Sequence, residues 1–309
     1  MSSAVVEAEG LSKSFGPVAA VSRLSLTLGR GEMLCLVGPD GAGKTTTVRM
    51  LSGIIRPTSG AARVFGFDLV RESERIKRRI GYMSQRFTLY GDLTVDENIE
   101  FFAEIHEVKK FQGRREELLD FTRLKPFRKR LADQLSGGMK QKLSLACTLI
   151  HTPDLLLLDE PTTGVDVVSR REFWTILRDL LQRGISILMT TPYMDEAERG
   201  TRVALIDRGS VIVIDTPANV RALMKHPIIE VISDDARRAA AALRDIREVL
   251  DIQAFGDRLH LVMSSLDRGV PVVERRLEER GVKVERWRPV PPSLENVFIS
   301  MTKGEEGGP

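Results

Sequence analysis

The sequence predicts an α/β fold followed by a smaller α+β module. Three observations carry that prediction. The apolar run Met33-Leu34-Cys35-Leu36-Val37 leads into the glycine-rich stretch Gly38–Thr46 and then into a helical pattern at Val48-Arg49-Met50-Leu51. A second run, Leu155-Leu156-Leu157-Leu158, is apolar at every position, is bounded by Pro153 and Pro161, and is followed by Asp159 and Glu160. Such a run suits a strand buried on both faces of a parallel sheet. Beyond Lys225-His226-Pro227 the patterns follow in the order βαββαβ, enough for a separate small domain.

In chain order, residues 4–9 alternate as a strand, Leu11–Gly16 ends in a turn, and Leu24–Leu28 alternates again before Gly29-Arg30-Gly31. This opening reads as an antiparallel sheet leading into the Met33–Val37 strand. Gly38-Pro39-Asp40-Gly41-Ala42-Gly43-Lys44-Thr45-Thr46 has the spacing G-x-x-x-x-G-K-T, the phosphate-binding P-loop. Its glycines bring backbone N–H groups close to a ligand, and the following helix points its positive end at the same place. Lys44 is expected on the β/γ-phosphates and the Thr45 hydroxyl on Mg²⁺. Together these features predict a P-loop NTPase core. Phe15 can stack on a purine face or serve as an ordinary edge aromatic, and composition does not separate the two.

The P-loop helix should stop near Gly53, and Pro57–Gly60 should turn into a strand at Ala62–Gly66. Arg71–Arg79 reads as a short charged helix, and Ile80–Gln85 as a strand ending on an amide that can reach a phosphate site or sit in solvent. From Thr94 to about Ile150 the chain is helical, with Thr94 or Asp96 as a cap, a second helix at Arg114–Leu124, and a third opened by Ser136-Gly137-Gly138. That last N-terminus is a second anion-binding end without a P-loop lysine. Asp159 and Glu160 stand at the carboxyl end of their strand, where open α/β sheets bind ligands. One acid can hold Mg²⁺ and the other can polarise an attacking water. An amphipathic helix at Val167–Arg183, a buried strand at Ile185–Thr191, a helix starting at Met194, a hairpin around Arg208-Gly209-Ser210 and a helix at Ala218–Met224 complete the first part. In the second, Val270–Arg280 and Ser293–Met301 are the later helices, and Gly304–Pro309 reads as a disordered tail. The expected domains are 1–224, with a helical subdomain at about 92–150, and 225–303 as a ferredoxin-like module, a split βαβ.

Composition narrows the function classes. The 309 residues suffice for two domains, and 46 Lys+Arg against 43 Asp+Glu leave a net charge of +3, no footprint for nucleic acid. Cys35 and Cys147 lie in apolar runs, as buried reduced thiols of a cytosolic protein do. Met1–Gly10 lacks signal-peptide character. No apolar run reaches the roughly 18 residues of a membrane span, so any membrane part belongs to another chain.

With Leu135-Ser136-Gly137-Gly138-Met139 added to the P-loop, Gln85 and Asp159-Glu160, the region of about residues 5–224 resembles the ATP-binding subunit of an ABC transporter. Pro292–Phe298 in the C-terminal module is similar to multidrug-type exporters whose six-helix permeases are separate proteins. The resemblance implies that Phe15 stacks on adenine, that Gly38–Thr46 cradles the phosphates, and that Gln85 senses Mg²⁺ and the permease. It implies that Asp159 organises Mg²⁺, that Glu160 is the general base, and that Gly164-Val165-Asp166 is the D-loop. Ser136, Gly137 and Gly138 would complete a partner subunit's site in a head-to-tail dimer that sandwiches two ATP molecules. The implied place is the cytoplasmic face of the membrane, held there by a permease, with outward transport. Two positions depart from the family pattern. Asp40 replaces a frequent asparagine. Pro192, after Thr190-Thr191, stands where the family has its switch histidine, and the chain's histidines, His106, His151, His226 and His260, lie elsewhere. Proline donates no hydrogen bond, so slow hydrolysis, and pairing with an unlike ATPase chain or a regulatory role, stand beside an ordinary homodimer. A soluble ABC ATPase acting on ribosomes or DNA would ordinarily carry two fused cassettes or a coiled-coil insertion, and neither is visible.

Overall fold

A computed structural model of the chain describes residues 4–85 and 89–306, the last three of these by backbone alone. It separates into two compact units, one up to Asp215 and one from Thr216.

The first unit holds two sheets. Strands β1 (Val6–Phe15) and β2 (Val18–Leu28) form a long antiparallel hairpin in which Val6, Ala8, Leu24, Leu26 and Leu28 face inward. After β3 (Met33–Val37) and α1 (Lys44–Leu51), β4 (Ser59–Val64) and β5 (Phe67–Asp68) join this hairpin, in the order β2-β1-β4-β5. The strand expected to reach Gly66 ends at Val64, because Phe65 and Gly66 both take positive φ and turn the chain into β5.

The second sheet surrounds β3. Helix α2 (Ser73–Lys77) precedes β6 (Ile80–Met83). Then come α3 (Val95–Ile105), α4 (Gln112–Phe121) and α5 (Gly137–Leu149). Of the two candidate caps for α3, Thr94 is the one used, in a reciprocal capping box with Glu97. Strand β7 (Leu155–Asp159), α6 (Val167–Gln182), β8 (Ser186–Thr191), the single turn α7 (Met194–Ala197), β9 (Arg202–Asp207) and β10 (Ser210–Asp215) follow. The strand order is β10-β9-β3-β8-β7-β6, parallel except for β10. All residues of β3, β7 and β8 are buried, which explains the apolar runs Met33–Val37, Leu155–Leu158 and Ile187–Met189. Strand β8 thus lies between the strand that feeds the P-loop and the strand that ends on Asp159, with Thr190 opposite both Leu36 and Asp159. Cys35 and Cys147 are buried free thiols, and burial pushes the Cys35 thiol up to about 12.

The second unit begins with α8 (Pro217–Arg221), which the sequence reading left with the first domain, and continues β11 (Ile228–Ser233), α9 (Ala236–Leu243), β12 (Val249–Phe255), β13 (Arg258–Met263), α10 (Leu266–Glu279), β14 (Val284–Val290) and α11 (Leu294–Glu306). Its antiparallel sheet has the order β12-β13-β11-β14. Ile229, Val231, Leu259 and Leu261 of the sheet share a core with Leu243 and Leu277 of the helices. Helix α10 starts at Leu266, earlier than the expected Val270, and carries Pro271 inside it. The tail expected to be disordered from 304 is instead helical through Glu306; the rest of that expectation lies outside the described residues.

Candidate functional site

The site is built where β3 ends. Gly38 has no room for a side chain, since a Cβ there would stand 2.0 Å from the Ile206 carbonyl oxygen. Gly43, at φ 95°, is the N-cap of α1, and a Cβ there would meet the Ala20 carbonyl at 2.4 Å. Both positions therefore admit only glycine, and the loop between them can wind tightly in front of the unpaired N–H end of α1. Lys44, in the first turn of α1, folds back and donates to the carbonyls of Gly38 at 2.8 Å and Pro39 at 3.0 Å. Its Nζ stands 3.5 Å from Glu160 Oε1, with both side chains buried.

The two acids divide their contacts. Asp159 Oδ1 accepts from the Thr45 hydroxyl at 2.9 Å and from the Thr190 hydroxyl at 2.8 Å. Its other oxygen, Oδ2, is buried and accepts no hydrogen bond from protein. Glu160, at φ 47°, turns the chain sharply away from β7. Its N–H is held by the Thr190 hydroxyl at 2.9 Å, and its carboxylate accepts from Gln85 Nε2 at 2.9 Å and from Thr163 at 3.3 Å. A non-glycine residue at positive φ is a strained conformation that its surroundings must enforce, and these three contacts do so.

A cleft of about 470 Å³ runs along these groups, lined by Phe15, Ala20, Asp40, Gly41, Gly43, Lys44, Thr45, Thr46, Gln85 and Glu160. Phe15 is half exposed at its edge, with the Lys13 ammonium 5.1 Å from the ring centre. An exposed ring beside a phosphate-type loop is available for stacking. Of the residues singled out in the sequence, Gly38, Pro39, Ala42 and Asp159 are not among those lining this cleft, and neither are Ser136, Gly137 and Gly138. Ser136 caps α5, its hydroxyl accepting from the Met139 N–H at 3.4 Å. Gly138 is packed so tightly that a Cβ would strike the Ser169 side chain at 2.3 Å. Thr190 was missed by the sequence reading, although it joins both acids. Its neighbour Thr191 and Ser186 share the same strand, so residue type alone did not single it out.

The family model described as ABC transporter matches residues 21–163. The chain is 34% identical over 307 residues to the daunorubicin resistance ATP-binding protein DrrA3 of Streptomyces coeruleorubidus, a match covering 98% of this chain and 97% of that one. The chain belongs to the ABC transporter ATP-binding family. This ABC protein is also 36% identical to the Nod factor export ATP-binding protein I of Paraburkholderia xenovorans (strain LB400), over 99% of each chain. Against the probable multidrug ABC transporter ATP-binding protein YbhF of Escherichia coli (strain K12) it is 42% identical over 221 residues, 71% of this chain and 38% of that relative, so it spans well under half of YbhF's length. Among solved structures, an ATP-binding subunit of an ABC transporter aligns with a TM-score of 0.65 at 27% identity, covering 72% of this chain and 93% of that one. A dimeric ATP-binding cassette in a post-hydrolysis state bound to ADP and Pi aligns with a TM-score of 0.62 at 25% identity, covering 68% and 98%. As a family member, this ABC protein binds ATP.

Proposed function

We propose that the chain is the ATP-hydrolysing subunit of an ABC exporter that drives a separate membrane permease. The observation that carries this reading is the hydrogen-bonded chain Thr45–Asp159–Thr190–Glu160–Gln85, with Lys44 against Glu160, and with Lys44, Thr45, Gln85 and Glu160 lining one cleft. Gly38, Pro39, Asp40, Gly41, Ala42, Gly43, Lys44, Thr45 and Thr46 cradle the ATP phosphates, and Phe15 stacks on the base. Glu160 takes the proton of the attacking water, held in orientation by Gln85 and Thr163. The residues fit a Mg²⁺ ion: the buried Oδ2 of Asp159 has no protein donor, and a carboxylate with a hydroxyl is an oxygen set suited to that cation. Thr45, Asp159 and Gln85 would hold it, and bound there it would offset phosphate charge.

Ser136, Gly137 and Gly138 serve the cleft of a second ATPase subunit. Support comes from the capped N-terminus of α5, a donor-rich end outside this chain's own cleft lining. No helix among the described residues is long and apolar enough to cross a membrane. Relatives named as ATP-binding proteins of transporters support a place at the cytoplasmic face, held by a permease. Relatives named for multidrug transport, daunorubicin resistance and Nod factor export support outward transport of small molecules. The element order and the β12-β13-β11-β14 sheet support a ferredoxin-like accessory domain in the second unit. ATPase assays of the purified chain beside Lys44→Ala and Glu160→Gln test the reading. It requires ATP binding to fail in the first and hydrolysis to fail in the second, and wild-type turnover in Glu160→Gln overturns it.

A second reading rests on Pro192, which follows Thr191 directly at the end of β8. With no side-chain donor there, the subunit binds ATP and turns it over slowly, as one half of an unlike pair or as a regulatory chain. Single-turnover hydrolysis by wild type and Pro192→His separates the two, since fast wild-type turnover with no gain from histidine excludes the slow site.

A further inference from the structure

We propose that Glu196 is a positioning residue for hydrolysis, tying the loop after Glu160 to the segment that leaves β8. The proposal deepens the reading of Glu160 as general base and rests on it.

Glu196 sits in the single turn α7 and is 1% exposed. It is not among the residues lining the ATP cleft. A buried carboxylate is costly unless it is paired, and the groups around this one come from three different segments. Oε2 accepts from the Thr162 hydroxyl at 2.7 Å and from the Thr191 hydroxyl at 2.9 Å. Oε1 stands 3.3 Å from Arg170 Nε on α6, a charge pair in which neither atom makes a hydrogen bond.

Each contact leads toward the chemistry. Thr191 gives its hydroxyl proton to Glu196, which leaves the same oxygen as an acceptor, and it takes the Tyr193 N–H at 3.1 Å. That pair of bonds spans Pro192 and fixes the direction in which the chain leaves β8. The Arg170 guanidinium also lies 5.0 Å from the centre of the Tyr193 ring. On the other side, Thr162 belongs to the loop whose next residue, Thr163, donates to the Glu160 carboxylate. Glu160 itself holds a positive φ, a conformation that relaxes unless the following loop is anchored. Glu196 anchors that loop through Thr162, one residue from the Thr163 contact to Glu160. It joins two groups of residues around the reacting water without touching the nucleotide.

Glu196→Ala strands two buried hydroxyls and a guanidinium, so the loop and the Pro192 segment lose their common reference. Misplacement of catalytic groups by about 1 Å costs on the order of a hundredfold in rate; a partial shift here should lower kcat by about tenfold or more, with KM for ATP within about twofold. Glu196→Gln keeps an acceptor oxygen for the two threonines, so it should recover kcat to within about threefold of wild type. Thr191→Val removes one link in a near-isosteric way and keeps the test alive if the alanine variant does not fold; its kcat should fall about threefold or more at unchanged KM.

The experiment measures steady-state kcat and KM for ATP on variants shown by thermal melting to be folded at the assay temperature. Wild-type kcat in Thr191→Val, or in folded Glu196→Ala, overturns the proposal. So does a kcat loss that glutamine fails to restore, because that marks the ion pair to Arg170 as the whole effect. Glu160→Gln is assayed alongside: wild-type turnover there defeats the assignment of the base, whatever the Glu196 series shows.

Discussion

Thr190→Val is the sharpest small perturbation of this site. The side chain is fully buried and nearly isosteric with valine, so the change deletes one hydroxyl and leaves the packing of β8. That hydroxyl donates to Asp159 Oδ1 at 2.8 Å and accepts the Glu160 N–H at 2.9 Å. A hydrogen bond to a charged group contributes about 1.5–3 kcal/mol. Two contacts remain after the change: Thr45 still donates to the same Asp159 oxygen at 2.9 Å, and the Thr190 backbone carbonyl still accepts the Glu160 N–H at 3.2 Å. The cost should therefore fall near the low end, about 2 kcal/mol, and lower Tm by about 4–8 °C for a unit of this size. A kinetic effect should accompany the loss of stability. Asp159 keeps only one donor, and Glu160 loses the side-chain contact that helps hold its positive φ. A fall in kcat of about tenfold with little change in ATP affinity is expected, since the phosphate loop is untouched. Differential scanning fluorimetry with and without ATP, together with steady-state ATPase assays, reads both. Wild-type Tm and wild-type kcat together would refute the argument that this hydroxyl couples the two acids.

Three further outcomes are expected. Phe15→Ala should weaken ATP binding by about 1 kcal/mol, roughly fivefold, while Phe15→Tyr should leave it unchanged, read by fluorescent-nucleotide titration. Pro192→His should raise single-turnover hydrolysis, because it returns a side-chain donor to the end of β8; an unchanged or lower rate counts against the slow-site reading. His151 stacks on His106 with ring centres 3.9 Å apart, and burial, with the neighbouring His106, pushes its pKa down to about 4. Its folded pKa lies below the ordinary 6.5, so between these values the unfolded chain binds the extra proton and stability falls as pH drops from about 6.5 toward 4. After solvent screening of this partly exposed ring the loss should be about 1–2 kcal/mol, and His151→Phe should lose less Tm than wild type over that pH range.

Much of the site could be read from sequence because its parts are local. The run Met33–Val37, the glycine spacing after it and Lys44-Thr45 fix strand, loop and helix within a few residues, and Leu155–Glu160 does the same for the acids. Thr190 and Glu196 could not be read in this way. Thr190 matters because β8 lies between β3 and β7, an order no local pattern encodes. Glu196, within Met194-Asp195-Glu196-Ala197-Glu198, looks like one of several surface acids on a helix; only the fold shows that it points inward toward Thr162, Thr191 and Arg170. The start of α10 is hidden from local pattern for a related reason. Gly269-Val270-Pro271 resembles a helix boundary, yet Gly269 is buried against Met263, and the helix continues through it.

The cage around Lys44 bears on the thermodynamics of nucleotide binding. An exposed lysine carries about 2 kcal/mol of rotamer entropy, which a ligand that immobilises it must overcome. Here the ammonium is already held by the carbonyls of Gly38 and Pro39 and faces Glu160. Its disorder was surrendered when the chain folded, so an incoming phosphate meets a cation already ordered. What the phosphate must do instead is compete with Glu160 for that cation, and in doing so it releases the carboxylate.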